Sequence, residues 1–136
     1  MIEDYCSYEV SKLLKEKGFD EKTLSYYEDN VLCHGDWFEW NRSPLGHIAA
    51  PTLQLAMKWL REKHKLLISV DATPIYGKMK DDKGRNTCGI LYWNYIASGE
   101  WTNEKYNPIQ KAFALSGETY EEAVEAACIY ALNNLI

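Results

Sequence analysis

The stretch Leu66-Leu67-Ile68-Ser69-Val70-Asp71-Ala72-Thr73, answered after a polar loop by Cys88-Gly89-Ile90-Leu91-Tyr92-Trp93-Asn94-Tyr95-Ile96-Ala97, decides the fold. In the first run Ile68, Val70 and Ala72 alternate with Ser69, Asp71 and Thr73. That period of two belongs to a strand with one face toward water. The strand signal covers residues 66–76, and Pro74, which cannot donate to a ladder, places its end at an edge or a bulge. In the second run Ile90, Tyr92, Asn94 and Ile96 alternate with Leu91, Trp93 and Tyr95. Both faces are apolar, so this strand is expected at the centre of a sheet, covered on each side. Residues 78–87 between them hold Asp81-Asp82-Lys83-Gly84-Arg85-Asn86, a polar hairpin loop.

Helices flank this hairpin. The one before it is expected to begin at Pro51, since a proline loses nothing in a first helical turn. Leu53, Ala56, Met57, Leu60 and His64 form its core stripe, and Leu55 and Trp59 widen that stripe beyond half the circumference. Lys58, Arg61 and Lys65 share the remaining face. After the hairpin, residues 109–115 fit a third strand or a short helix, the strand being preferred because Gly117-Glu118 then leads directly into the last helix. The final helix starts at Thr119, which forms a capping box with Glu122 and leads a stripe of Tyr120, Val124, Ala127, Ala131 and Leu135.

At the other end a helix is expected over residues 3–17, with Cys6, Val10, Leu13 and Leu14 at helical spacing, Ile2 in the preceding turn and Gly18 as left-handed cap. Residues 19–50 lose the period. Tyr26-Tyr27 and Val31-Leu32-Cys33-His34 suggest a hairpin across Glu28-Asp29-Asn30, followed by a turn-rich loop at Asn41-Arg42-Ser43-Pro44-Leu45-Gly46. The expectation is therefore one α+β domain over residues 1–136. It has an antiparallel sheet of about three strands packed with an N-terminal, a middle and a C-terminal helix, in the order α-β-α-β-β-β-α.

At 136 residues, with 46% apolar and 26% charged side chains, the chain matches an ordinary single domain that folds without staples. Its acidic start carries no basic and apolar leader, and no apolar run approaches the ~18 residues of a membrane span. A cytoplasmic setting follows, in which Cys6, Cys33, Cys88 and Cys128, lacking paired spacing, are expected as buried thiols. The net charge of −5 opposes binding to phosphate backbones. The basic side chains nevertheless gather at Lys58, Arg61, Lys63, Lys65, Lys78, Lys80, Lys83 and Arg85.

No motif specifies a reaction, a metal or a cofactor. Cys33, His34, Asp36, His47 and His64 are the possible ligands, yet no two share the spacing at which one turn supplies a metal pair. Cys33 or Ser43 with His47 could form a nucleophile and base, without a supporting elbow sequence. Asp36, Glu39 and Asp71 are the acid–base candidates, and Gly77, Gly84 and Gly89 do not form a phosphate loop. No catalytic residue, metal or cofactor is assigned.

Aromatic residues are the unusual feature, with 5 Trp, 10 Tyr and 3 Phe. Trp37, Phe38 and Trp40 crowd into what reads as a loop. Together with Trp59 they are the candidate protein-binding residues, because aromatic side chains bring large area at low entropy cost; the other reading is that the cluster folds back as a lid over the core. The expected function is therefore a protein-binding module, most simply one that self-associates into a homo-oligomer. The alternative is nucleic-acid binding through Lys58, Arg61, Lys65, Lys78, Lys80, Lys83 and Arg85, which would weaken steeply with salt. A second alternative is a small hydrolase using Cys33, His34 and His47.

The run Ala49-Ala50-Pro51-Thr52-Leu53-Gln54-Leu55-Ala56-Met57-Lys58-Trp59-Leu60-Arg61-Glu62, with Gly18-Phe19-Asp20-Glu21 before it and Thr119-Tyr120-Glu121-Glu122-Ala123 after it, resembles a group of small uncharacterised phage and prophage proteins of gut Bacteroides-type bacteria. The resemblance implies an accessory role in a mobile element, in the cytoplasm of a bacterial host, with another phage or host protein as partner. It implies no activity. Gly117-Glu118-Thr119-Tyr120-Glu121-Glu122-Ala123 is similar to the segment before the helix of HicB-type antitoxins. That likeness implies an α-β-β-β-α arrangement with helices on one face, as in double-stranded RNA-binding domains. The chain departs from the RNA-binding pattern at Glu121, Glu122 and Glu125, where phosphate-binding lysines would stand.

Overall fold

A computed structural model describes residues 4–80, 83–84, 86–98, 101–102, 105–106, 111–114 and 119–136. Three helices, α1 (Tyr8–Glu16), α2 (Leu53–His64) and α3 (Tyr120–Asn134), combine with antiparallel strands in an α+β fold. Between α1 and α2 lie β1 (Thr23–Glu28), β2 (Val31–Phe38), a 3-10 turn (Trp40–Arg42) and β3 (Ile48–Ala49). Between α2 and α3 lie β4 (Leu66–Lys80), β5 (Asn86–Ser98), β6 (Trp101–Thr102), β7 (Lys105–Tyr106) and β8 (Lys111–Ala114). The strands pair in the orders β2-β1-β3, β4-β5-β8 and β6-β7.

The central hairpin stands as read. β5 lies between β4 and β8, and β4 is an edge strand that tolerates Pro74. Leu66 and Ile68 are buried while Leu67 and Ser69 are exposed, the alternation of a half-wet strand. The hairpin is longer than expected. Its ladder runs from Leu66 opposite Ser98 to Lys80 opposite Asn86, with an irregularity between Tyr76 and Met79. Lys78 and Lys80 therefore belong to β4 rather than to the loop, of which Lys83 and Gly84 are described. Arg85 lies outside the described residues, as do the ends of the expected 109–115 strand, whose middle is β8. The covering of β5 on both faces also lies outside what is described. Its Ile96 is buried on the face that meets the helices.

α1 starts later than its pattern suggested, at Tyr8 rather than Glu3. The preceding residues are extended because they have another partner: Cys6 N–H donates to the Pro51 carbonyl at 2.8 Å and Leu53 N–H to that of Asp4 at 2.9 Å. Ser7 then caps the helix, its Oγ accepting from Val10 N–H at 3.3 Å. The helix ends as read. Gly18 takes φ +91°, Phe19 N–H reaches the Leu14 carbonyl and Gly18 N–H that of Lys15, a Schellman ending. Ile2 lies outside the described residues.

α2 also starts two residues past the expected proline. Thr52 is its cap, with Oγ1 accepting from Leu55 N–H at 3.2 Å, and Pro51 is buried just before it. α3 begins where it was expected, Thr119 Oγ1 accepting from Glu122 N–H at 3.2 Å. α3 packs against both α1 and α2, and α2 and α3 reach the β4–β5 sheet. The shared core holds Val10 and Leu14 of α1, Leu53, Ala56, Trp59 and Leu60 of α2, Leu66, Ile68 and Ile96 of the sheet, and Val124, Ala127, Cys128, Ala131 and Leu132 of α3. Tyr120 and Leu135, expected on the α3 stripe, flank this core half-buried.

A polar tie joins the starts of α1 and α3. The Glu125 carboxylate accepts from Ser7 N–H at 2.8 Å and from Ser7 Oγ at 3.0 Å. Its carboxyl is nonetheless raised above the usual value, because partial burial disfavours the charge more than the two Ser7 hydrogen bonds favour it. A carboxyl whose folded pKa lies above its unfolded one gives the folded state the greater proton affinity. Its contribution is fully present below the unfolded value near 4.5 and is lost as pH rises through the folded one. The urea midpoint is thus expected to rise as pH falls from 7 toward 5, by less in Glu125→Gln. Equal pH profiles for the two proteins would refute this.

Candidate functional site

The residues 19–50, least legible in the sequence, build the most chemically varied surface of the molecule. β1 and β2 form the suggested hairpin with a tighter turn, Glu28 pairing with Val31 across Asp29 and Asn30. Both turn residues have positive φ, 50° and 68°, the two-residue turn whose twist matches the strands. β2 closes one side of its sheet, and no described strand pairs with its outer edge. Between Ser25 opposite His34 and Thr23 opposite Phe38, β2 carries extra residues, a bulge at Gly35, Asp36 and Trp37.

The aromatic group was expected in a loop. Trp37 and Phe38 instead end β2, and Trp40 opens the 3-10 turn. Their environments differ. Trp37 is 59% exposed and Phe38 44%. Trp40 is half-buried, stacked on Tyr26 with centroids 4.1 Å apart, and its Nε1 donates to the carbonyls of Thr23 at 3.0 Å and Asp36 at 3.1 Å. Gly35 makes room for that stack, since a Cβ there would sit 3.0 Å from Trp40 Cζ2 and 3.1 Å from Tyr26 Cε1. Trp59, the fourth candidate, is a correction: it is 3% exposed between Phe19 and His64, and offers a partner no surface.

Five large apolar side chains of this region, Leu24, Val31, Trp37, Phe38 and Leu45, are exposed. Such clustering marks an interaction surface more than scattered exposure does.

The basic residues do not form one surface with a single geometry. Lys58 and Arg61 are exposed on α2, and Lys65 is its left-handed cap. Lys78 and Lys80 lie near the far end of β4, 14 ladder steps from Leu66 to Lys80, and Lys83 is exposed beyond them. At ~3.3 Å per residue the base and tip of the hairpin stand roughly 45 Å apart. A shallow groove between α1 and α3, lined by Glu9, Glu121, Glu122 and Glu125, is acidic.

The histidines keep separate partners. Ser25 Oγ lies 2.6 Å from His34 Nδ1, and Cys33 Sγ donates to the Val31 carbonyl at 3.6 Å. His47 is buried and pairs with Ser43, whose Oγ lies 2.8 Å from Nδ1, while Glu28 Oε2 stands 3.9 Å from Nε2. Cys33, His34 and His47 thus make their hydrogen bonds to other groups, and the serine–histidine contact that involves His47 is the one with Ser43. Among the described residues no group of three or more His, Cys, Asp and Glu could hold a metal ion. Cys6 and Cys128 are buried thiols, as expected. Burial pushes Cys128 up to about 12 and raises Cys6 well above the ordinary thiol value, which keeps both protonated and inert. Cys33 is only half-buried, a correction that follows from its place on the edge strand β2.

No helix among the described residues is long and apolar enough to cross a membrane. No protein-family model, no curated protein and no solved structure matches the chain.

Proposed function

We propose that this chain is a protein-binding module that self-associates through the exposed apolar surface of β1 and β2, centred on Trp37 and Phe38. The exposure of both aromatic rings at the end of one edge strand supports this reading most directly. Aromatic side chains are enriched where interfaces concentrate their energy, and here they are fixed on a strand, so little entropy is lost on docking. Leu24 neighbours Thr23, which pairs with Phe38, at that end of the hairpin. The bulge within β2 disfavours continuous strand-to-strand pairing, so the contact is made by side chains. An accessory role for a phage or prophage, with a second phage or host protein as a further partner, rests on the sequence resemblance alone.

Light scattering coupled to size exclusion tests the reading. The expected result is an oligomer at micromolar concentration that Trp37→Ala shifts toward monomer and Trp37→Ala with Phe38→Ala abolishes. A monomer at every concentration, or an oligomer indifferent to both changes, would sink it. Nucleic-acid binding stays the alternative, at odds with the net charge of −5 and with the separation of the two basic groups. Binding that failed to weaken with added salt would argue against it.

A further inference from the structure

Ser43, His47 and Glu28 come from three places in the chain. Ser43 follows the 3-10 turn, His47 precedes β3 and Glu28 ends β1. Leu45 N–H donates to Ser43 Oγ at 3.3 Å, and His47 Nδ1 lies 2.8 Å from the same oxygen, so the hydroxyl donates to Nδ1 in the tautomer protonated at Nε2. With Nδ1 accepting, the neutral ring carries its proton on Nε2, toward Glu28 Oε2 at 3.9 Å. This is the donor order in which a carboxylate orients a base and the base accepts from a nucleophile.

The imidazole is also held in place. Tyr26 meets it edge-on at 4.7 Å and Trp40 at 5.4 Å, while Lys15 Nζ donates to the His47 carbonyl at 2.9 Å. His47 is 8% exposed, whereas Ser43 is half-buried, so the base is the more sheltered of the two.

We propose that Ser43 is a nucleophile for acyl transfer, with His47 as its general base and Glu28 as the positioning residue, acting on esters of apolar acyl groups. The apolar preference comes from Leu45, whose N–H donates to Ser43 Oγ and whose side chain is 81% exposed. In the first step Ser43 Oγ bonds to the ester carbonyl carbon as its proton passes to His47 Nδ1. The carbon–oxygen bond to the alcohol then breaks, and the alcohol leaves with that proton. Water attacks the acyl-serine by the same route, releasing the carboxylic acid and restoring the hydroxyl.

A fluorophosphonate probe tests this without knowledge of the natural ester, because serine displaces its fluoride and keeps the phosphonyl group. Full-length protein is incubated with the probe, weighed intact and mapped by peptide. The expected result is a single adduct at Ser43, absent from Ser43→Ala and formed more slowly in His47→Gln. Glu28→Gln is expected to slow labelling about tenfold and alter its pH profile without changing the circular dichroism spectrum. No adduct on the wild-type protein, an adduct elsewhere, or a Ser43 adduct formed as fast in a folded His47→Gln protein would overturn the proposal. Self-association is read by a different measurement, so either idea can fail alone.

Discussion

Trp59→Ala is expected to destabilise the fold by about 3–5 kcal/mol, while Trp37→Ala leaves stability within about 0.5 kcal/mol. Trp59 sits in α2 at 3% exposure, edge-on to Phe19 at 5.4 Å and to His64 at 4.7 Å. Removing its ring empties space that helices packed on a sheet cannot readily refill, so a cavity term adds to the lost burial. Trp59→Phe is expected to lose far less, within about 1 kcal/mol. The reason is that Trp59 Nε1 is buried with no hydrogen-bond acceptor among the described residues, an arrangement costing about 1–3 kcal/mol. Phenylalanine keeps most of the ring and removes the unmet donor. Urea unfolding of the four proteins checks the ordering. A Trp59→Ala midpoint close to that of Trp37→Ala would mean that Trp59 is not part of the core.

That contrast shows what the sequence could and could not reveal. Trp59 was legible as a residue that widens the buried stripe of α2, because helical periodicity reports burial directly. Its simultaneous candidacy as a partner contact came from residue type alone, and residue type does not separate core from interface. The hairpin of β4 and β5 was legible for the same reason as α2, through an alternation that each strand satisfies by itself. Thr119 and Gly18 were legible because a cap is a local interaction.

The errors fall where a distant partner overrides a local signal. Residues 4–6 continue the helical pattern of α1, yet Pro51 and Leu53 hold them extended. Pro51 fits a first turn, but Thr52 can supply an oxygen to Leu55 N–H and so becomes the cap. Ser43 with His47, four residues apart, was legible as a candidate pair, but Glu28 reaches His47 from 19 residues away only because β1 runs beside β3. A pairing of that kind leaves no spacing motif to find. The available signal was weaker: a histidine four residues from a serine in a turn-rich loop.

Trp40→Ala is expected to destabilise the fold by about 2–4 kcal/mol, less than full burial would give because the ring is half-exposed. The loss has identifiable parts. The stack on Tyr26 disappears, two backbone carbonyls lose the Nε1 donor, and His47 loses one of its two aromatic walls. Gly35→Ala tests the same packing from the other side. Its added methyl must displace Trp40 or Tyr26, which already stand at 3.0 Å and 3.1 Å from where it would lie, so it too is expected to lower the midpoint. This separates the three clustered aromatics into two kinds. Trp37 and Phe38 can be changed to read association with little effect on the fold, whereas a loss of association in Trp40→Ala would report damage to the hairpin that carries them. A Trp40→Ala protein as stable as the wild type would contradict this division and return Trp40 to the set of surface contacts.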